Sequence, residues 1–199
     1  MLSIKDNVTS ELVVNKSKFI TKLVYLDKLD DYKIILKNIK KDYPKANHYC
    51  YALIYDDYEK VSDDKEPSNT AGLPMLNILK HKNLNHVICV VVRYFGGIKL
   101  GVGGLIRAYN NSVVTAVDMA IFINIDKILL ISINFNYDVK DDIELLLQHF
   151  KIIQKEYNET VFYQFEISNF EYDFIKDRLK LIVISIKEEI IYKKKISSI

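Results

Sequence analysis

Hydrophobic and polar positions in the first quarter of the chain follow first a strand period and then a helix period. In the segment SKFITKLVYL, Phe19, Leu23 and Tyr25 alternate with lysines, which is the period of a half-buried strand. The next apolar positions recur every three or four residues up to Pro44, so the spacing predicts a helix that ends there. The predicted strands of this region are residues 8–14, 17–26 and 46–56.

A polar stretch and a fully apolar stretch follow. Residues 56–72 contain Pro and Gly among many polar side chains, so we expect a loop. A short helix is predicted over residues 73–82, with Thr70 as its N-cap and Pro74 in its first turn. The run HVICVVVRYF is apolar at nearly every position, as in a central strand covered on both faces. Apolar spacing over residues 105–120 predicts another helix.

The last third of the chain follows a different pattern of helices and strands. From residue 127 the periods predict β-α-β-β-α-β, which is the ferredoxin-like order. We therefore expect an α+β protein with one domain over residues 1–125 and a second over 126–199. The predicted elements are strand 127–135, helix 137–150, strands 151–156 and 160–168, helix 170–180 and strand 181–196.

Composition excludes several classes of protein. The longest apolar runs are far shorter than the roughly 20 residues of a membrane-spanning helix, and the N-terminal segment does not read as a secretion signal. A cytoplasmic location is the expectation. The two cysteines, Cys50 and Cys89, lack CxxC spacing, so neither a disulfide framework nor a structural zinc site is indicated. We expect no cofactor.

Charge is segregated along the chain although the net charge is only +2. Residues 67–117 contain no Asp or Glu, whereas the segment DDYEKVSDDKE just before them carries six carboxylates. Such oxygens can hold Mg²⁺. They show no regular ligand spacing, so we interpret the segment as a solvated surface loop and expect no metal.

The acid-free region contains five of the six glycines of the chain, within RYFGGIKLGVGGLIRAYNN. A buried strand, a glycine-rich turn and a helix together can present backbone N–H groups to an anion. Neither the Walker A nor the dinucleotide pattern is present. Arg107, placed in the first helical turn, would oppose the helix dipole unless an anion or a buried carboxylate lay nearby. Alternatively, the glycines only permit tight turns and Arg107 bridges to the acidic loop.

Two other groups of side chains are candidates for chemistry. His48 and Cys50 are two apart on a predicted strand and therefore share a face. They are either a nucleophilic pair or a buried cysteine beside a packed histidine. Tyr94 and Phe95 flank the glycine turn and offer surfaces for base stacking.

The motif RYFGGIKLGVGGLIRAY, with DDKEPSNTAGLPMLNIL, SKFI and NHYCYA before it, resembles the YigZ/IMPACT family from about Ser17 to Val117. The resemblance implies an N-terminal domain like the second domain of ribosomal protein S five, with a left-handed βαβ unit. It implies a C-terminal ferredoxin-like domain similar to the last domain of elongation factor G. Eukaryotic IMPACT relatives regulate translation through an added RWD domain, which we do not expect in this chain.

Three residues depart from the family pattern. Lys65 stands where the family usually has Gly, Asn69 where it also has Gly, and Ile98 where it tends to have Thr. Asn tolerates positive φ better than most residues, so Asn69 is expected to keep the backbone geometry. Ile98 removes a hydroxyl from the loop.

These observations favour a non-catalytic protein that binds RNA or the ribosome through a cationic surface around Arg93, Lys99 and Arg107. The alternative is an enzyme or sensor that binds a small phosphorylated or nucleotide ligand at the glycine-rich loop, with Glu66 in the opposite wall. The predicted binding residues are Glu66, Thr70, Arg93, Tyr94, Gly96, Gly97, Lys99, Gly101, Gly103, Gly104 and Arg107, with Lys18, His48 and Cys50 as secondary candidates.

Overall fold

The computed structural model describes residues 1–195 and has a mixed α+β fold in two compact units. Unit 1 comprises Met1–Ile125 with Lys194 and Lys195, and unit 2 comprises Asp126–Lys193. No helix in the described part of the chain is long and apolar enough to cross a membrane.

Unit 1 contains a five-stranded antiparallel sheet in the order β2-β3-β6-β4-β5. Its strands are β2 (Val8–Val14), β3 (Ser17–Tyr25), β4 (His48–Tyr55), β5 (Tyr58–Ser62) and β6 (Val87–Tyr94). The short strand β1 (Leu2–Ile4) pairs instead with the first residues of β7 (Phe122–Phe135). The unit has three helices: α1 (Asp31–Asp42), α2 (Gly72–His81) and α3 (Gly101–Asp118).

The two faces of this sheet carry different helices. Alternate residues of β6, among them Cys89 and Val91, pack with α2 and α3, whereas Val90 and Val92 pack on the α1 side. The prediction of a central strand buried on both faces is confirmed, because residues 87–93 are all buried. The prediction of a loop over residues 56–72 was wrong for β5, an edge strand whose polar, half-exposed side chains gave no apolar pattern.

Unit 2 has the β-α-β-β-α-β order that the sequence predicts. Its elements are the second part of β7, α4 (Lys140–Leu146), β8 (Lys151–Tyr157), β9 (Val161–Ile167), α5 (Asn169–Ile182) and β10 (Ser185–Lys195). The sheet runs β8-β9-β7-β10. Both helices pack on one core, which includes Ile143, Tyr172 and Leu179.

The first helix and the last strand predicted for unit 2 have different bounds in the structure. The helix predicted over 137–150 is a short 3₁₀ turn, Tyr137–Val139, followed by α4. The strand predicted from residue 181 begins at Ser185, because α5 continues to Ile182. The predicted end of that strand, Ile196, lies outside the described residues.

Candidate functional site

The glycine-rich segment connects β6 to α3, as predicted, but the helix begins earlier. It starts at Gly101, so Gly103 and Gly104 lie in its first turn and the connection is only residues 95–100. Arg107 therefore lies in the second turn, where it is exposed. The expectation that Arg107 opposes the dipole of the first turn is wrong, because that effect falls off within the turn.

The glycines of this segment meet different requirements. A Cβ on Gly96 would stand 2.0 Å from the carbonyl carbon of Lys16, so the backbone of the connection touches the β2–β3 hairpin there. Gly97 and Gly101 have φ values of +82° and +68°, which favour glycine, and each faces open space.

A buried polar cluster lies between β6, α3 and the acidic loop. One carboxylate oxygen of Glu66, Oε1, accepts a hydrogen bond from Arg93 at 2.5 Å and another from the Tyr109 hydroxyl at 2.8 Å. The side chains of Glu66 and Arg93 are only 4% and 5% exposed. A charge-assisted pair with so little water around it is far more sensitive to loss of one partner than a surface pair. We call these three residues the Glu66 cluster.

Arg93 is held by more than its carboxylate. Its second terminal nitrogen donates to the Ser17 hydroxyl at 3.3 Å, and its guanidinium lies 5.3 Å from the ring centre of Phe19 and 5.6 Å from that of Phe95. The same Ser17 hydroxyl accepts from the Gly96 N–H at 3.2 Å, which joins the cluster to the glycine connection. Arg93 is therefore an internal residue, and the expectation that it forms part of a cationic surface is wrong.

His48 and Cys50 do share a face, and that face points at the Glu66 cluster. His48 Nε2 is 3.8 Å from Glu66 Oε1, and its Nδ1 is 2.9 Å from the carbonyl oxygen of Asp64. The Cys50 thiol donates to the carbonyl oxygen of Asp63 at 3.0 Å and lies 3.3 Å from the Tyr109 hydroxyl.

The Cys50 thiol and the Tyr109 hydroxyl hold their protons firmly. Burial is the main cause that raises the pKa of the Cys50 thiol, and burial also raises the pKa of the Tyr109 hydroxyl. Both groups stay protonated near neutral pH, so Cys50 is not the thiolate that a nucleophile needs. The interpretation of Cys50 as a buried cysteine beside a packed histidine fits this environment.

The acidic loop is organised by its own carboxylates. Asp63 accepts from the backbone N–H groups of Asn69, Ala71 and Gly72, each at 2.9 Å, and so caps the start of α2. Thr70 was predicted to do this and does not. Its hydroxyl donates to the carbonyl oxygen of Pro67 at 2.6 Å, and the residue is 1% exposed.

The backbone of this loop also explains two departures from the family pattern. Lys65 and Asn69 both have positive φ, 72° and 61°. Asn69 retains the expected geometry, and Lys65 adopts it although a long side chain is less favourable there. No group of three His, Cys, Asp or Glu residues within the described chain is arranged to hold a metal ion.

Removing the Asp63 cap is expected to weaken α2. Asp63→Ala should lower the free energy of unfolding by about 1–2 kcal/mol, because the N–H groups of Ala71 and Gly72 lose their shared acceptor. Asp57→Ala removes the same charge from an exposed position of the same acidic segment and should change stability by less than about 0.5 kcal/mol. Denaturant unfolding followed by circular dichroism measures both, and equal losses would contradict the capping role.

The outer side of the segment carries exposed cations and an exposed ring. Phe95 is 44% exposed, and the side chains of Lys99 and Arg107 are exposed without an ion-pair partner among residues 1–195. Lys16 is also exposed, and its backbone lies against Gly96. We call Lys16, Phe95, Lys99, Arg107 and the five glycines of the segment the glycine-rich face.

Two predicted residues lie elsewhere. Tyr94 is half-buried and packs with the residues on the α1 side of the sheet. Lys18 forms an ion pair with Glu11 at 2.6 Å.

A family model, described as the Impact N-terminal domain, matches residues 15–117. The chain belongs to the IMPACT family. Over 114 residues it is 45% identical to IMPACT family member YvyE of Bacillus subtilis. This match covers 56% of this chain and 52% of YvyE. Over 105 residues it is 41% identical to IMPACT family member YigZ of Escherichia coli. This match covers 50% of this chain and 52% of YigZ. The chain thus spans about half the length of the curated relatives it matches.

A solved structure extends the similarity to nearly the whole IMPACT-family chain. The crystal structure of a hypothetical protein has a TM-score of 0.66, is 29% identical, and covers 96% of this chain and 95% of its own. The Glu66 cluster and the glycine-rich face both lie within the region that the family model matches.

Sequence reasoning missed three residues that build this site: Ser17, Asp63 and Tyr109. For Tyr109 a signal exists, because the residue falls on the apolar face of α3, where a buried hydroxyl must find a partner. The strand period also carries a signal for Arg93, which is in phase with Cys89 and Val91 on the α2/α3 side.

Proposed function

We propose that this IMPACT-family chain is a non-catalytic RNA-binding protein that acts in translation or its regulation, and that RNA or the ribosome contacts the glycine-rich face. The observation that carries the proposal is the group of exposed, unpaired cations beside an exposed aromatic ring. The link to translation rests on the family resemblance, and the RNA-binding surface rests on the charges described next.

The charges favour an anionic partner. Asp63 and Glu66 belong to the acidic loop, yet their carboxylates are bound by backbone N–H groups and by Arg93. Glu11 on the adjacent hairpin is paired with Lys18. The side chains of Lys99 and Arg107 face solvent without an ion-pair partner among residues 1–195. In nucleic acids, phosphates are the groups that such side chains bind.

The shape and the ring fit single-stranded RNA. Phe95 offers a face on which a base can stack, and stacking of this kind tolerates any sequence. Open space beside Gly97 and Gly101 leaves their backbone accessible to a phosphate, and the start of α3 adds backbone N–H groups. The buried, protonated Cys50 thiol supports a binding role over nucleophilic catalysis.

We also propose a specific fold for each unit. The order β8-β9-β7-β10 supports a ferredoxin-like fold for unit 2. In unit 1, β3 and β4 both pair antiparallel with β6 and are joined through α1, which supports the βαβ unit of the domain of ribosomal protein S five. We also propose domain bounds of 1–125 and 126–199.

A salt series tests the binding surface. Association with a labelled single-stranded RNA is measured by fluorescence anisotropy between about 50 and 200 mM salt. Lys99→Ala with Arg107→Ala should weaken binding at every salt concentration and reduce the salt slope by about one to two. Phe95→Ala should weaken binding with the slope unchanged, because stacking releases no counterions.

The matched control lies on the other side of the sheet. Lys37→Ala with Lys41→Ala removes two exposed charges from α1 and should leave RNA affinity and slope near those of the unchanged protein. Equal effects of the two double variants, or no RNA binding at all, would overturn the proposal. Stabilisation of the protein by a mononucleotide, with no RNA binding, would favour the alternative of a small phosphorylated ligand.

A further inference from the structure

Helix α5 of unit 2 carries large apolar side chains on its outer face. Phe170, Phe174 and Leu181 are 73%, 72% and 84% exposed. The two rings pack against each other edge to face, with centres 4.8 Å apart and planes at 76°. Exposed apolar residues that form a contiguous patch usually mark a contact with another molecule.

The three side chains form a single stripe. At 3.6 residues per turn they fall within about 40° of arc around the helix axis. Tyr172 and Leu179 lie on the opposite side and are buried in the core of unit 2. The stripe therefore points away from the core that α5 covers, and repacking within unit 2 cannot bury it.

The charges that flank the stripe are distributed unevenly along the helix. Glu171 and Arg178 lie on one flank, and Asp173 and Lys180 lie on the other. On both flanks the acid is nearer the N-terminus and the base nearer the C-terminus. A partner helix that runs antiparallel with the same sequence would reverse this order and place opposite charges together.

We propose that α5 is a self-association surface that pairs antiparallel with α5 of a second copy of this chain. A two-fold axis between Ile175 and Lys176 brings Phe170 against Leu181 of the second copy. The same axis brings Glu171 to within two residues along the helix, roughly 3 Å, of Arg178 of the second copy, and Asp173 equally near to Lys180, each pair on its own flank. Isologous pairing of this kind is the commonest symmetry of soluble oligomers.

Asp177 limits the strength of this dimer. It lies in the apolar stripe, in line with Phe170 and Leu181, and pairing would remove part of its hydration. The helix has 14 residues and is about 21 Å long. The contact is thus a small interface, of the class found in weak and transient complexes.

Sedimentation velocity of the full chain over a range of concentrations tests the apolar stripe. The unchanged protein should form a concentration-dependent dimer, and Phe174→Ser should weaken it by more than about tenfold. Asp177→Leu completes the stripe and should strengthen the dimer by about tenfold or more. Leu145→Ser is the matched control, because Leu145 is 61% exposed on α4 of the same unit and should leave dimerisation unchanged.

Charge reversal tests the antiparallel register. Lys180→Glu places like charges opposite each other and should weaken the dimer, and Asp173→Lys in the same chain should restore it. Thermal unfolding of each variant shows that the fold is retained. A protein that stays monomeric at every concentration, a loss with Leu145→Ser equal to that with Phe174→Ser, or no restoration by the double variant would each overturn the proposal. Because α5 is outside the glycine-rich face, the result is independent of RNA binding.

Discussion

Replacing Arg93 with alanine is expected to lower the free energy of unfolding of unit 1 by about 3–5 kcal/mol, the largest effect of any single change considered for this chain. The variant would remove the guanidinium that pairs with the Glu66 carboxylate, a side chain that is only 4% exposed. It would also remove the donor to Ser17, whose hydroxyl accepts from Gly96 and so ties down the glycine connection. Hydrogen exchange of the β6 amides and the midpoint of thermal unfolding both report on this loss.

A second variant separates the ion pair from packing. Arg93→Met with Glu66→Gln removes both charges and keeps a side-chain oxygen for the Tyr109 hydroxyl. Because neither charge is then buried alone, the double variant should recover most of the stability that Arg93→Ala loses. Lys37→Ala, a change to an exposed cation on α1, should alter stability by less than about 0.5 kcal/mol. An Arg93→Ala protein as stable as Lys37→Ala would contradict the structural role of the Glu66 cluster.

The sequence predicted the order of most helices and strands, because their apolar periods are set by the same cores that the structure shows. The sequence did not predict elements whose buried residues show no regular spacing. Strand β5 is an edge strand with polar side chains, and β1 has only three residues. The start of α3 was predicted late because Gly101, Gly103 and Gly104 are poor helix formers, yet backbone hydrogen bonds and the packing of Leu105 and Tyr109 extend the helix back through them.

The sequence predicted a site in this region, but it did not predict which side chains contact each other there. The alternative that a cation bridges to the acidic loop names the right kind of contact with the wrong residue, since Arg93 and not Arg107 reaches Glu66. Glu66 and Arg93 are 27 residues apart, and their contact depends on how β6 and the loop before α2 pack. A local pattern identifies the residues of such a site, whereas their pairing depends on tertiary structure.

Alanine at Gly96 and at Gly103 is expected to change stability in opposite directions. Gly96→Ala should lower the free energy of unfolding by about 3 kcal/mol, because a Cβ 2.0 Å from the carbonyl carbon of Lys16 forces two backbone segments apart. Gly103→Ala should raise it by about 0.5–1 kcal/mol, because Ala favours the helix and its Cβ meets only the end of Arg107 at 3.7 Å. Denaturant unfolding of the full chain, followed by circular dichroism, measures both.

A third glycine completes the comparison. Gly97→Ala meets no neighbour but must adopt a φ of +82°, so its expected cost of about 1–2 kcal/mol comes from backbone strain alone. Equal effects at Gly96, Gly97 and Gly103 would mean that the segment is a uniformly flexible loop. Three different effects would mean that each glycine meets its own constraint. These are close contact with the hairpin at Gly96, a positive φ at Gly97, and an unhindered position in the first turn of α3 at Gly103.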